Sequence, residues 1–170
     1  MRALVLTALA PLAALLIGAG VAQSASAEVY RGYASPDSPI AAAIVVPPGY
    51  GTVCISGMTA GVSDPSAPRG SVAAYGSTAV QTESALRRIQ AALQAQGLDL
   101  GDVVSMRVYL VGDPNKDGQM DFAGMTAAFS QHFGTPQQPN RPVRTTVQVS
   151  GLVAPGLLVE IETTAAKPPK

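Results

Sequence analysis

The chain has 170 residues, with eleven basic side chains, eleven acidic ones and one histidine, which is the length of one domain. Such a charge balance supplies no footprint for nucleic acid, whose affinity comes largely from neutralising phosphates. A single cysteine excludes an intramolecular disulfide framework, so an ordinary apolar core has to hold the fold together.

Arg2 precedes an almost wholly apolar stretch over residues 3–22, and Ala25-Ser26-Ala27 follows as a small-x-small cleavage site. Charge, apolar run and small residues predict an export signal over residues 1–27 and a periplasmic or secreted location. Pro11 in the middle of the run argues against a retained span, so membrane contact is expected only through an uncleaved signal. Losing Arg2 leaves one more acid than base. A single domain is expected over residues 28–166, with a frayed tail at 167–170.

Prolines 36, 39, 47 and 48 bracket the apolar stretch 40–46, which reads as an edge strand. Residues 52–57 form a short buried strand, with Cys54 expected as a buried thiol rather than a nucleophile. Residues 58–76 are rich in Gly, Ser, Pro and Ala and read as a loop. Leu86, Ile89 and Leu93 recur at helical spacing, with Thr78 and Gln81 at capping-box spacing, Ser77 as an alternative cap, and Gly97 as the stop. The spacing predicts a helix over 78–96.

Val104, Met106, Val108 and Leu110 alternate with polar residues in a strand. A second helix is expected over 122–133, capped by Asp121, with Phe122, Met125, Phe129 and Phe133 as its inner stripe. Residues 143–149 and 157–163 alternate as two further strands. One-sided helical stripes then predict an α+β fold, a mixed sheet with two helices on one face.

Several motifs are bland on inspection. Asp113, Asn115, Asp117 and Gly118 resemble half of a calcium loop, but loop position twelve is Gly124 instead of a bidentate acid, so a polar turn capping the second helix is the better account. His132 stands alone, which excludes a multi-histidine metal site within one chain, and reads as a helix-end group complementing the dipole. No phosphate-cradling glycine loop and no nucleophile elbow occur.

The two C-terminal strands carry more. Arg144, Thr146 and Gln148 share one face of the first, and Glu160 and Glu162 share one face of the second. Paired as a hairpin, the strands would project Arg144 and both glutamates from the same side. A guanidinium can fork a carboxylate, and a neighbouring glutamate can hold a water or move a proton. The competing reading is a structural ion pair between Arg144 and one of the glutamates.

The runs 143–152 and 158–162 resemble the C-terminal signature of the Rid (YjgF-like) family. Cys54-Ile-Ser-Gly57, the helix over 81–89, Gly97 to Val104, Val108-Tyr-Leu110, and Asp121-Phe-Ala through Phe133-Gly134 agree in order. The resemblance covers about residues 50–166. It implies a chorismate-mutase-like fold and a homotrimer with ligand clefts between subunits. It further implies hydrolysis of 2-imino or enamine carboxylates to 2-keto acids and ammonia, with no metal and no organic cofactor. Carried over, Arg144 clamps the substrate carboxylate, Glu160 positions the attacking water, the backbone around Thr146 lines the cleft, and Ser56 lies at its entrance. The family's early tyrosine has no match in residues 38–43, and Thr126 stands where an asparagine is expected. The alternative reading is a non-catalytic exported trimer that binds or sequesters small carboxylates.

Overall fold

The computed structural model describes residues 27–170, so the expected export signal lies, but for Ala27, outside the described residues. Nine labelled elements follow in chain order: β1 (Tyr30–Gly32), β2 (Ala43–Val45), β3 (Gly51–Thr59), α1 (Val72–Tyr75), α2 (Thr78–Gln94), β4 (Val103–Val111), α3 (Phe122–Phe129), β5 (Val143–Val149) and β6 (Val159–Lys167). Strands β3 to β6 form a mixed sheet in the order β3-β6-β4-β5. Only the β4–β5 pair is parallel. The α+β architecture with its principal helices on one face is therefore as expected.

Ser77 caps α2 by accepting from the Val80 N–H, so of the two candidate caps it is the one used. Gln81 is released from a capping box and is fully buried. Its amide donates to the carbonyls of Gly76 and Gly156 and accepts from the Leu158 N–H. One side chain thus ties the start of α2 to the approach of β6. Gly97, at φ 74°, stops the helix in the left-handed region that glycine tolerates. Leu86, Ile89 and Leu93 face the sheet and join Met106, Val108, Leu110, Met125, Phe129 and Ile161 in one core.

The short strands at the start differ from expectation. Only 43–45 of the predicted 40–46 strand is extended, and it pairs with β1 in a separate two-stranded sheet. The flanking prolines confine it, since they cannot donate to a ladder. Arg31 pins this arm to the domain by donating to the carbonyls of Gly101, Val103 and Arg141. The predicted 58–76 loop loses its first two residues to β3 and contains the one-turn helix α1. At the other end Lys167, expected in a frayed tail, belongs to β6, and its ammonium donates to the Gln96 carbonyl.

Cys54 is exposed, against expectation. Alternation along β3 turns Val53 and Ile55 toward the core and Cys54 away from it. That outward face of the sheet is uncovered in the described chain, because both α2 and α3 lie on the other side.

Candidate functional site

The largest correction concerns β5 and β6, which do not form a hairpin. Strand β4 lies between them, and the connection over residues 150–158 crosses its end. It is longer than hairpin loops of two to five residues. The Leu158 carbonyl accepts from the Val111 N–H where the connection passes β4. Each strand keeps its predicted alternation, but the intervening strand reverses their relationship. Met106 stands opposite Arg144, whereas its neighbour Arg107 stands opposite Glu162 and Tyr109 opposite Glu160. Successive residues on β4 face opposite sides. Arg144 therefore projects toward the helices, and Glu160 and Glu162 project from the uncovered face.

On the helix side, the Arg144 guanidinium lies over the Phe129 ring, 4.3 Å from its centroid, and 5.7 Å from that of Phe122. Helical spacing puts Phe122, Thr126 and Phe129 on one stripe of α3, and Thr146 follows Arg144 on the same face of β5. Asp121 caps α3 through the Gly124 N–H, as predicted. Gln148 holds the approach to α3 by accepting from the Met120 N–H and donating to the Gly118 carbonyl. Phe122 itself departs from the expected inner stripe, being 45% exposed. It sits in the first turn of α3, and only the later turns reach the core.

The polar atoms here lack partners. Arg144 Nη1, Thr126 Oγ1 and Thr146 Oγ1 are all buried without a hydrogen bond. Burial lowers the Arg144 pKa, and no acid acts to raise it. Arg144 forms no ion pair among the described residues, so the structural pairing with Glu160 or Glu162 does not occur. Aromatic faces offset part of the desolvation cost through cation–π attraction. What remains is a guanidinium held in place with hydrogen-bonding capacity to spare.

The uncovered face holds the acids. Glu162 accepts from the Tyr109 hydroxyl at 3.2 Å and meets Arg107 at 3.5 Å. The Tyr109 pKa is raised, first by lost solvation and then by Glu162. Glu160 makes no hydrogen bond or ion pair among the described residues, and its carboxylate lies over Gly57. A register irregularity between Ile55 and Met58 puts that glycine beneath it. Ser56 lies on this same face, beside Cys54, Arg107 and Glu162 in a shallow hollow. A further hollow of about 380 Å³ reaches Arg144 at the β4–β5 end. The segment 40–42 and the ends of β4 and β5 from Ser105 to Arg107 and from Val143 to Thr145 line it.

The structure thus brings Arg144, Thr126 and Thr146 together, and gathers Glu160 and Ser56 elsewhere. Phe129 as a guanidinium platform and Gly57 as the seat of Glu160 were missed by sequence reasoning. A glycine inside a strand is the available signal for the second, since it marks bulges and close approaches. His132 also has a different role from the one expected. Its Nε2 meets Glu83 of α2, which also pairs with Arg87 at 3.0 Å, so it fastens the end of α3 to α2 instead of complementing a dipole. Asp113 closes its own turn through the Asn115 N–H and bridges to Gln119, leaving the helix cap to Asp121.

Comparison with known proteins agrees with this architecture. The Endoribonuclease L-PSP family profile matches residues 46–167. A RutC family protein of Pyrococcus horikoshii is 39% identical over 87 residues, spanning 51% of this chain and 60% of that protein, which is under two thirds of its length. Among solved structures, E. coli TdcF with bound serine superposes with a TM-score of 0.53 at 27% identity, over 72% of this chain and 84% of that one. The conserved Rid family protein YyfB of Yersinia pestis gives a TM-score of 0.56 at 24% identity over 75% and 86% of the two chains, and bears on the fold alone. Profile, sequence and fold agree that the chain belongs to the Endoribonuclease L-PSP family, the YjgF/Rid group of proteins.

Proposed function

We propose that this protein binds a small 2-oxo or 2-imino carboxylate at Arg144 and deaminates the imino form by hydrolysis. The observation that carries the reading is the Arg144 guanidinium, buried beside two unpartnered hydroxyls and answered by no acid. A native chain seldom leaves such groups unsatisfied without a use for them. A carboxylate would accept from the guanidinium in a forked pair. Thr126 and Thr146 would then bond to the ligand's remaining polar atoms. The TdcF structure holds serine, itself a small carboxylate, which supports the same class of ligand here.

Glu160 and Arg144 serve one site only if a second copy supplies the missing half, because the sheet separates them within one chain. The uncovered face supports such an assembly. The outer side of β5 carries Val147 at 42% exposure, while its polar side faces the helices. This inverts the order expected of a strand whose outer face stays in water. A homotrimer with ligand sites between subunits accommodates both facts.

In the reaction, Glu160 takes a proton from water as the water oxygen adds to the imine carbon, and that proton passes to the imine nitrogen, giving a carbinolamine and a carboxylate again. The carbinolamine hydroxyl then gives its proton through Glu160 to the amine nitrogen as the C=O bond forms and the C–N bond breaks, which expels ammonia and leaves Glu160 ionised. Arg144 holds the carboxylate throughout, and no residue here requires a metal or organic cofactor. Ribonuclease action is disfavoured, because balanced charge offers little phosphate neutralisation. The separation of Arg144 from Glu160 favours one alternative, a trimer that binds carboxylates without turnover. Export through residues 1–27 belongs to the reading, and cell fractionation with an antibody to the chain tests it.

Ammonia release from an imine generated in situ tests the reaction. Release by the wild type that vanishes in Arg144→Ala supports it. Ligand-dependent melting shifts without ammonia favour the binding protein.

A further inference from the structure

Between α2 and the chain that follows α3, a hollow of about 530 Å³ opens, within the size range of small-molecule sites. None of its lining residues belongs to the Arg144 site or to the uncovered face of the sheet. His132 stands in its wall. Its Nε2 meets one oxygen of the Glu83 carboxylate, whose other oxygen pairs with Arg87. An ionised carboxylate only accepts, so Nε2 carries the proton, and in the neutral ring Nδ1 keeps its lone pair. Nδ1 has no hydrogen-bond partner among the described residues, yet it is not sealed from solvent, and the hollow is where it opens. An acceptor of fixed tautomer thus faces the hollow.

The acid in the lining is already answered. Asp99 Oδ1 accepts from the Gln90 amide and from the Leu100 N–H. Gln138 is likewise committed, to the His132 carbonyl and the Asn140 N–H. The spare capacity is neutral. The Gln131 and Gln137 amides make no hydrogen bond among the described residues, and the Thr135 hydroxyl, which accepts from the Gln138 N–H, keeps its proton to give. No lysine or arginine lines the hollow, so an anion meets no counter-charge. Leu100 is only 4% exposed, so an apolar ligand finds little surface to cover. Each free amide presents a donor and an acceptor side by side, and neighbouring sugar hydroxyls, which both donate and accept, match that pattern.

We propose that this hollow binds a saccharide, with His132 Nδ1 accepting from one hydroxyl and Gln131 and Gln137 bonding its neighbours. Glu83 is a positioning residue, because its hold on Nε2 leaves Nδ1 as the acceptor. The site is independent of the Arg144 reading.

Saturation-transfer NMR on the full chain with glucose and maltose tests it. Permethylated maltose, which keeps the skeleton and lacks hydroxyl donors, is the control. The wild type should saturate both sugars and leave the methylated analogue untouched. His132→Gln keeps an amide N–H for Glu83 and removes the Nδ1 acceptor, so maltose affinity should fall about tenfold with the melting temperature unchanged. Gln131→Ala combined with Gln137→Ala, both at exposed positions, should weaken maltose to the same degree in a folded protein. No saturation of either sugar by the wild type overturns the proposal, as does equal saturation of the methylated analogue. Maltose affinity unchanged in both variants overturns it too and places the sugar elsewhere.

Discussion

Arg144 and Glu160 lie on opposite faces of one four-stranded sheet, joined only through the register of β4. If both serve one reaction, each active site has to draw on two copies of the chain. Mixing Arg144→Ala with Glu160→Gln, each inactive alone, should then restore activity. Random assembly of equal amounts gives an intact pair at about a quarter of the sites, because each half must come from the other variant. Ammonia release after joint refolding reads this out. No recovery, with mixed oligomers present, would mean that the two residues do not share a site.

Arg144→Met should leave the melting temperature unchanged or raise it, while abolishing carboxylate binding. The substitution removes a buried charge that has no counter-ion and keeps a chain able to pack on Phe129. Folding lowers the pKa of this base, so its charged form is disfavoured in the folded state. The resulting penalty applies below the folded pKa and fades only as the pH rises through the strongly alkaline arginine range. Substitution, monitored by melting, is therefore the practical probe. A large drop in melting temperature would show that Arg144 is structural.

Thr126→Val should stabilise the unliganded protein by about 1 kcal/mol, because it replaces an unpartnered buried hydroxyl with a methyl group of similar shape. Ligand affinity should fall at the same time. Urea unfolding with and without pyruvate separates the two effects.

Gly57→Ala should fold and yet impair turnover. An added methyl group would run into the Glu160 carboxylate, the movable end of a side chain, and push it aside. The expected signature is a lower kcat with little change in melting temperature. Equal loss of activity and of folded protein would point to backbone damage at the β3 irregularity.

Gln81→Leu should cost about 3 kcal/mol in chemical denaturation, since it strips partners from the Gly76 and Gly156 carbonyls and the Leu158 N–H, all met by one buried amide. A loss under about 1 kcal/mol would mean that water replaces the amide readily.

Much of this was legible in the chain. The 3.6-residue spacing of Leu86, Ile89 and Leu93 announced α2, the alternation of Met106, Val108 and Leu110 announced β4, and Asp121 announced the start of α3. Within a strand, alternation also assigned Arg144, Thr146 and Gln148 to a common face. It carries no information on which strand lies next door. The insertion of β4 between β5 and β6 is a tertiary choice, and it moved Glu160 and Glu162 to the side opposite Arg144. Cys54 was misread for a related reason. An apolar run suggests burial on both faces, whereas helices cover only one face of this sheet. The platform beneath Arg144 joins α3 to β5 across more than ten residues of intervening chain, a contact that no local pattern encodes.

Calorimetric titration of the wild type and Arg144→Met with pyruvate and with its uncharged amide bears most directly on the anion-gripping role of Arg144. Pyruvate should bind the wild type at least about tenfold more tightly than the amide, as expected for a charge-assisted pair, and neither should bind the variant measurably. Equal affinity for pyruvate in the two proteins would contradict the account.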